Sequence, residues 1–151
     1  MIRIICVGKK HESWISAGVE RYESRLKKPF TLEWVLLPHS AKQGVQARVS
    51  ESEAILSRIS SNDFVIVLDE IGTSLSSTDF AQKISTAQMH AKNIVCIIGG
   101  AYGVDDTIHE RADVVISLSR LVFPHQLVRL ILSEQLYRAQ EIVAGRPYHH
   151  S

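Results

Sequence analysis

Short apolar runs alternate along this chain with segments whose apolar residues recur at helical spacing. A run that is apolar at nearly every position, rather than at every second one, is typical of a strand buried on both faces of a sheet. Such runs predict strands over residues 2–7, 32–37, 64–69, 94–98 and 114–118. The strands therefore belong to a sheet that is covered on both sides.

The segments between these runs predict helices. The helical patterns span residues 14–26, 45–59, 80–87, 105–112 and 125–143, and Thr78 or Asp79 is expected to cap the third helix. Gly145 and Pro147 end the last helix. Strands that alternate with helices predict an α/β fold, a mostly parallel sheet with helices on both faces, in a single domain over residues 1–151.

The last predicted helix carries more apolar surface than one sheet face needs. Its main stripe consists of Val128, Leu132, Leu136, Ala139 and Val143, and its first turns add Leu127, Leu130 and Ile131. The stripe is expected to pack on the core. The additional surface predicts a subunit interface, and hence a homodimer.

Composition narrows the class of protein. The net charge of +1 gives no general evidence for binding to nucleic acid or membrane, so an RNA-binding role has to depend on a local patch. Cys6 and Cys96 lie inside apolar strands and are expected to be buried and reduced, and their spacing predicts no metal site. The N-terminus has no signal-peptide pattern, and no apolar run approaches the ~20 residues of a membrane helix. A cytoplasmic protein without membrane contact is expected.

Two loops that follow buried strands are candidates for ligand binding. Gly99, Gly100 and Gly103 follow the fourth strand, and Pro124 and His125 follow the fifth. Loops at the carboxyl ends of strands are where open α/β sheets bind ligands. The glycines do not match the dinucleotide-binding fingerprint, but they allow the backbone to approach a flat ligand closely.

Several polar residues have both an ordinary and a functional interpretation. His125 is either an ordinary first residue of a helix or a proton-handling group at a helix start. His149 and His150 lie in a tail that either frays or is held down by Pro147 and Tyr148. The Gly8-Lys9-Lys10 turn is either solvated or in contact with a phosphate backbone.

The combined pattern closely resembles the RlmH (YbeA-like) family of bacterial 23S rRNA pseudouridine N3-methyltransferases, within the SPOUT class. The resemblance covers essentially the whole chain, and no single motif carries it. Its motifs are Val7-Gly8-Lys9, Val67-Leu68-Asp69, Ile98-Gly99-Gly100 with Gly103, Leu118-Ser119, Pro124-His125, Leu127-Val128-Arg129, Glu134 to Ala139, and Pro147-Tyr148-His149.

The resemblance implies properties that the residue pattern alone does not. It implies a C-terminal trefoil knot, an exception to the usual rule against knotted chains, and a homodimer with the site near the subunit interface. It implies that the knotted loops hold S-adenosylmethionine in a bent form. The expected cofactor contacts are Leu68, Gly99, Gly100, Gly103, Leu118, Ser119, Arg120, Leu121, Val122, Phe123 and Pro124.

The implied substrate is a pseudouridine of 23S rRNA, met in the assembled ribosome. Its N3 carries a proton, so a base with a pKa near neutrality is needed, and His125 or His149 is expected to be that base. Arg129 or Arg138 is expected to stabilise negative charge on the flanking carbonyls. Expected substrate contacts are Lys9, Lys10, Arg146, Tyr148 and His150. Two alternatives stay open: a non-catalytic ribosome- or nucleotide-binding module, and a methyltransferase for another RNA nucleotide.

Overall fold

The protein is described by a computed structural model that covers residues 1–90 and 92–150. Within that part of the chain, five strands form one sheet in the order β2-β1-β4-β3-β5. The strands are β1 (Ile2–Val7), β2 (Leu32–Leu37), β3 (Asp63–Ser74), β4 (Asn93–Ile98) and β5 (Val114–Ser117). Every neighbouring pair is parallel, which confirms the predicted sheet type.

Helices cover both faces of the sheet, as the alternating pattern predicted. They are α1 (Ser13–Glu23), α2 (Gly44–Leu56), α3 (Ser77–Met89), α4 (Asp106–Arg111) and α5 (His125–Val143). On one face α5 packs against both α1 and α3, and α2 and α4 contact each other on the opposite face.

Successive strand residues feed two separate hydrophobic clusters. In β1, Ile4 and Cys6 face the cluster beneath α3 and α5, whereas Ile5 and Val7 face the one beneath α2 and α4. The alternation follows from the two-residue period of a strand. Cys6 and Cys96 are free and fully buried, and burial raises the pKa of each thiol to about 12. The prediction of buried, reduced cysteines is confirmed.

Two local predictions are wrong. The N-cap of α3 is Ser76, whose hydroxyl accepts a hydrogen bond from the amide of Asp79 at 3.0 Å, so the helix begins before the predicted Thr78 or Asp79 cap. Val143 does not continue the buried stripe of α5, because 48% of its surface is exposed. Ile142 packs against the core instead, because the last step of the stripe advances by three residues from Ala139 and not by four.

Two irregularities of the sheet shape its carboxyl edge. The chain leaves β1 towards α1 and leaves the neighbouring β4 towards α4, on opposite faces, which makes a topological switch point between them. In β3, Leu68 and Thr73 both pair with Ile116 of β5, so residues 69–72 form an irregular insertion at this edge. The trefoil knot that the resemblance implies stays a prediction.

Candidate active site

A cleft of about 270 Å³ lies at the carboxyl ends of β3, β4 and β5. Small-molecule sites in proteins commonly have volumes of about 300–1,000 Å³, so the cleft is at the small end of that range. It is lined by Leu68, Asp69, Glu70, Ile98, Gly99, Gly100, Ala101, Gly103, Val104, Leu118, Ser119, Leu121, Val122, Phe123, His125 and Val128.

The cleft brings together nine of the eleven residues predicted to contact a cofactor. Arg120 and Pro124 are exposed and do not line it. The prediction missed Asp69 and Glu70, two acidic residues that enter the cleft because they lie in the irregular insertion of β3. Their signal in the sequence was available, since polar residues directly follow a buried strand there.

The glycine turn after β4 forms one wall of the cleft. Gly100 and Gly103 pair in an isolated bridge, with the Gly103 amide donating to the Gly100 carbonyl at 3.0 Å, and Gly103 has φ +72°. A Cβ atom added at Gly100 would lie 2.6 Å from Oε2 of Glu51 on α2. Side chains are therefore poorly accommodated here, and the backbone itself faces the cleft.

Asp69 is held in place at the cleft by two contacts. Its Oδ2 lies 3.0 Å from Nε2 of His109 on α4, and its Oδ1 accepts a hydrogen bond from the Ile71 amide at 3.1 Å. The carboxylate orientation is therefore fixed before any ligand binds. His109, which the sequence pattern indicated as a surface residue, is half-buried by this pairing.

His125 is the one predicted catalytic residue that lines the cleft. It is the first residue of α5, and its ring forms no hydrogen bond with any other described side chain or backbone group. Desolvation lowers the pKa of His125, and the positive charge of Arg129 and the nearby His39 lower that pKa further. The imidazole is therefore neutral at pH 7 and has a free lone pair.

Arg129 is buried with only 1% of its surface exposed, and it does not line the cleft. Its guanidinium donates hydrogen bonds to the carbonyls of Val7, Gly8 and Lys10 at 3.0–3.3 Å. A fourth bond, of 3.2 Å, reaches Nδ1 of His11. The side chain ties the loop after β1 to α5.

The C-terminal tail is ordered against α5 by a cluster of polar side chains. The Tyr148 hydroxyl donates to Oε1 of Glu134 at 3.1 Å, and Arg138 donates to the same oxygen at 3.0 Å. Arg138 also donates to Nδ1 of His149 at 3.1 Å, and its guanidinium lies 4.8 Å from the centre of the Tyr148 ring. Of the two interpretations of the tail, the structure supports the ordered one.

The tail cluster and His125 lie at different ends of α5. Thirteen residues separate His125 from Arg138, and at 1.5 Å per residue this places them roughly 20 Å apart along the helix axis. Within one chain, the four predicted catalytic residues therefore do not form one site. Of the predicted substrate contacts, Lys9, Lys10, Arg146 and His150 are exposed, and Arg146 pairs with Glu141 at 2.7 Å.

Comparison with known proteins identifies the fold family. The family described as "Predicted SPOUT methyltransferase" matches residues 1–149. The chain belongs to the SPOUT methyltransferase family. It is 40% identical over 152 residues to "Ribosomal RNA large subunit methyltransferase H" of Francisella philomiragia, and 40% identical over 156 residues to the protein of the same name from Streptococcus uberis. Each of these alignments covers 98% of both chains, which places the protein in the RlmH family.

A solved structure supports the fold alone. The probable methylase family protein from Haemophilus influenzae Rd KW20 has a TM-score of 0.58 and 14% sequence identity, covering 99% of this chain and 70% of that one. The SPOUT methyltransferases use a methyl-donor cofactor. The cleft suits such a group, because backbone at Gly99 and Gly100 approaches it without side chains while Leu68, Leu118 and Phe123 supply apolar surface.

Two further classes of site were looked for in the SPOUT chain. Among residues 1–90 and 92–150, no group of three or more His, Cys, Asp or Glu side chains is arranged to hold a metal ion. No helix in the same part of the chain has the length and apolar character to cross a bilayer.

Proposed function

We propose that the protein transfers a methyl group from S-adenosylmethionine to N3 of a pseudouridine in 23S rRNA, within the assembled ribosome in the cytoplasm. One observation carries the proposal: an uncharged histidine with a free lone pair, His125, lines a cleft with a glycine wall and apolar side chains. The names of the relatives, which are large-subunit rRNA methyltransferases, support an rRNA substrate.

The cofactor supplies a methyl group already activated by a positive sulfur, so the protein needs neither a nucleophile nor a metal for this step. Leu68, Leu118 and Phe123 provide an apolar slot for a flat base such as adenine. The peptide groups of the Gly99 to Gly103 turn are placed to read polar edges of that base. Asp69 and Glu70 add negative charge on the same side of the cleft, which favours a cationic ligand.

His125 is better suited than His149 to accept the N3 proton. Since Nδ1 of His149 accepts a hydrogen bond from Arg138, the ring proton of a neutral His149 resides on Nε2. That nitrogen is then a donor and not a base. Both nitrogens of His125 are free of described partners, so one lone pair is available. His149 instead orients the pseudouridine ring by donating a hydrogen bond.

Arg138 is the residue that stabilises negative charge on the carbonyls beside N3. It is half-buried and held by Glu134, which leaves its guanidinium in one orientation. Arg129 acts differently from the expectation based on sequence: its donors are occupied by backbone carbonyls, so it is a positioning residue for the loop after β1.

A second copy of the chain completes the site. One chain holds His125 and Arg138 about 20 Å apart along α5, which is too far for both to contact one base. Large apolar side chains near the cleft are exposed by 47–78%, namely Ile71, Tyr102, Leu121 and Val122. A homodimer that buries this surface places the tail cluster of one chain, including Tyr148 and His149, over the cleft of the other.

The decisive experiment is methylation in vitro followed by mass spectrometry of the rRNA. Purified protein is incubated with S-adenosylmethionine and with ribosomes from a strain that lacks the gene. We expect one added methyl group, located on N3 of a pseudouridine. Methylation of a different nucleotide, or cofactor binding without transfer, contradicts the proposal.

The base is assigned by a pH profile. Because the pKa of His125 is lowered from 6.5, its neutral form predominates at pH 7, and the rate falls on the acidic side, below pH 6.5. In His125→Asn we expect kcat to fall by about 100-fold or more, since general bases typically contribute 10²–10⁴-fold, with cofactor affinity retained. An acidic limb that persists unchanged in His125→Asn excludes this residue as the base.

A further inference from the structure

A second group of protonatable side chains lies beside the cleft, at the carboxyl end of β1. This group, the histidine cluster, consists of His11, His39, His125 and Arg129. We propose that the histidine cluster binds a backbone phosphodiester of the RNA, next to the nucleotide presented to His125. The inference rests on the proposed function and adds a substrate-binding site to it.

Four separate segments bring the cluster together. His11 follows β1, His39 follows β2, and the other two residues occupy the first turns of α5. The space next to Gly8 is the meeting point. A Cβ atom added there would lie 2.7 Å from Nη2 of Arg129 and 3.4 Å from Nε2 of His39, so both nitrogens border one small space that the glycine leaves open. Gly8 has φ +124°, a conformation that side chains other than glycine rarely adopt.

The charge of the cluster is not neutralised by the described residues. Arg129 is buried, yet it has no carboxylate within 4.0 Å among the described side chains, and its acceptors are neutral carbonyls and His11. Buried charges in proteins are usually paired. The same positive charge contributes to the lowered pKa values of His11 and His125. An anion in this space relieves both effects, and its arrival favours protonation of the imidazoles.

The acidic side chains nearby face other groups. The carboxylate of Glu12 accepts a hydrogen bond from the Trp14 indole at 2.7 Å. Glu51 lies against Gly100, on the other side of the β1 end. Neither forms an ion pair with Arg129 within 4.0 Å. The field at the cluster is therefore positive, which suits a phosphate and opposes a metal cation.

The position of the cluster indicates an RNA phosphate and not a carboxylate of the cofactor. Of its members, His125 alone lines the cleft. His39 is exposed, and the adjacent Lys9 and Lys10 are exposed at the rim. The cluster thus opens to solvent beside the cleft and shares one residue with it. A nucleotide whose base reaches His125 brings its own backbone to this side, where charged and imidazole groups bind phosphate.

Steady-state kinetics on ribosomes tests the proposal with the variant His11→Asn/His39→Asn. We expect KM for ribosomes to rise about tenfold, with kcat within about twofold of the parent, because phosphate contacts contribute mainly to substrate binding. The slope of log(kcat/KM) against log salt concentration should become shallower by about 1, as for loss of one phosphate contact. His90→Asn, which removes an exposed histidine at the end of α3, is the matched control and should behave as the parent.

A second measurement separates this proposal from the proposed methyl transfer. Imidazole NMR signals are followed while inorganic phosphate is added to the parent protein. Signals of His11 and His39 should shift, and that of His90 should not. If the parent fails to methylate rRNA but these signals shift, the proposed function fails and the anion site stands. Unshifted signals overturn the inference, as does a double variant that loses cofactor affinity with an unchanged KM for ribosomes.

Discussion

Replacement of Arg129 by methionine tests whether this buried residue supports the fold or acts on the substrate. Methionine keeps an unbranched apolar stem and removes every hydrogen-bond donor of the guanidinium. The carbonyls of Val7 and Gly8 then lose their buried donor. Each unsatisfied buried group costs about 1–3 kcal/mol, and relief from burying a charge offsets part of this cost. We expect a net loss of about 2–4 kcal/mol of unfolding free energy.

Urea unfolding monitored by circular dichroism measures the loss. For a chain of this size, about 2–4 °C per kcal/mol corresponds to a fall in Tm of roughly 5–15 °C. Hydrogen exchange should become faster in the loop after β1, at Gly8 to Lys10, before it changes elsewhere. Arg21→Met is the matched control, because Arg21 is exposed on α1, and surface substitutions usually change stability by about 0.5 kcal/mol or less.

The opposite pattern refutes this assignment of Arg129. If Arg129→Met unfolds at the same urea concentration as the parent and loses methyl transfer, the guanidinium acts on substrate or cofactor. The role predicted from the sequence would then be correct, and the hydrogen bonds to the loop would be incidental.

Three further predictions concern packing and charge. A methyl group at Gly72 would lie 2.6–2.7 Å from backbone atoms of β5, so Gly72→Ala should destabilise the protein by about 1–3 kcal/mol in urea unfolding; an unchanged midpoint contradicts the observed packing. In Glu134→Gln the pKa of Tyr148, raised to about 12 by burial and by this carboxylate, should fall, as followed by tyrosinate absorbance at 295 nm in an order-of-magnitude titration; a constant pKa would show that Glu134 has no influence. Arg146 lowers the pKa of Glu141 to about 2, so this pair stabilises the fold above the ordinary glutamate pKa of 4.5, and the contribution is lost as pH falls towards 2. Glu141→Gln should therefore be less stable than the parent at pH 7, by about 1 kcal/mol or less, and equally stable near pH 2; a difference independent of pH argues against the pair.

Much of the architecture was predictable because its signals are local. The periods of apolar residues, near two or continuous in strands and 3.6 in helices, depend on which side chains face the core. The prediction of strands and helices on both faces is confirmed for this reason. The glycine wall and His125 were also predictable, since both follow buried strands of a parallel sheet, where ligand sites form.

The same reasoning was less successful where distant segments meet. Arg129 and Arg138 are equivalent by residue type on one helix, yet Arg129 ends among the carbonyls after β1 and Arg138 ends in the tail cluster. The difference arises because α5 packs beside the end of β1, which no local pattern specifies. Asp69 was missed in a similar way, because its pairing with His109 depends on how α4 lies beside the β3 insertion.

The sequence by itself determined the order and type of the elements, and it placed glycines and a histidine at the ends of buried strands. Tertiary structure decided which of the predicted site residues meet. His125 entered the cleft, whereas His149 was fixed by Arg138 near the other end of α5. The physical reason is that periodicity reports the face on which a side chain lies, whereas the partner of that side chain depends on how the helices and strands pack together.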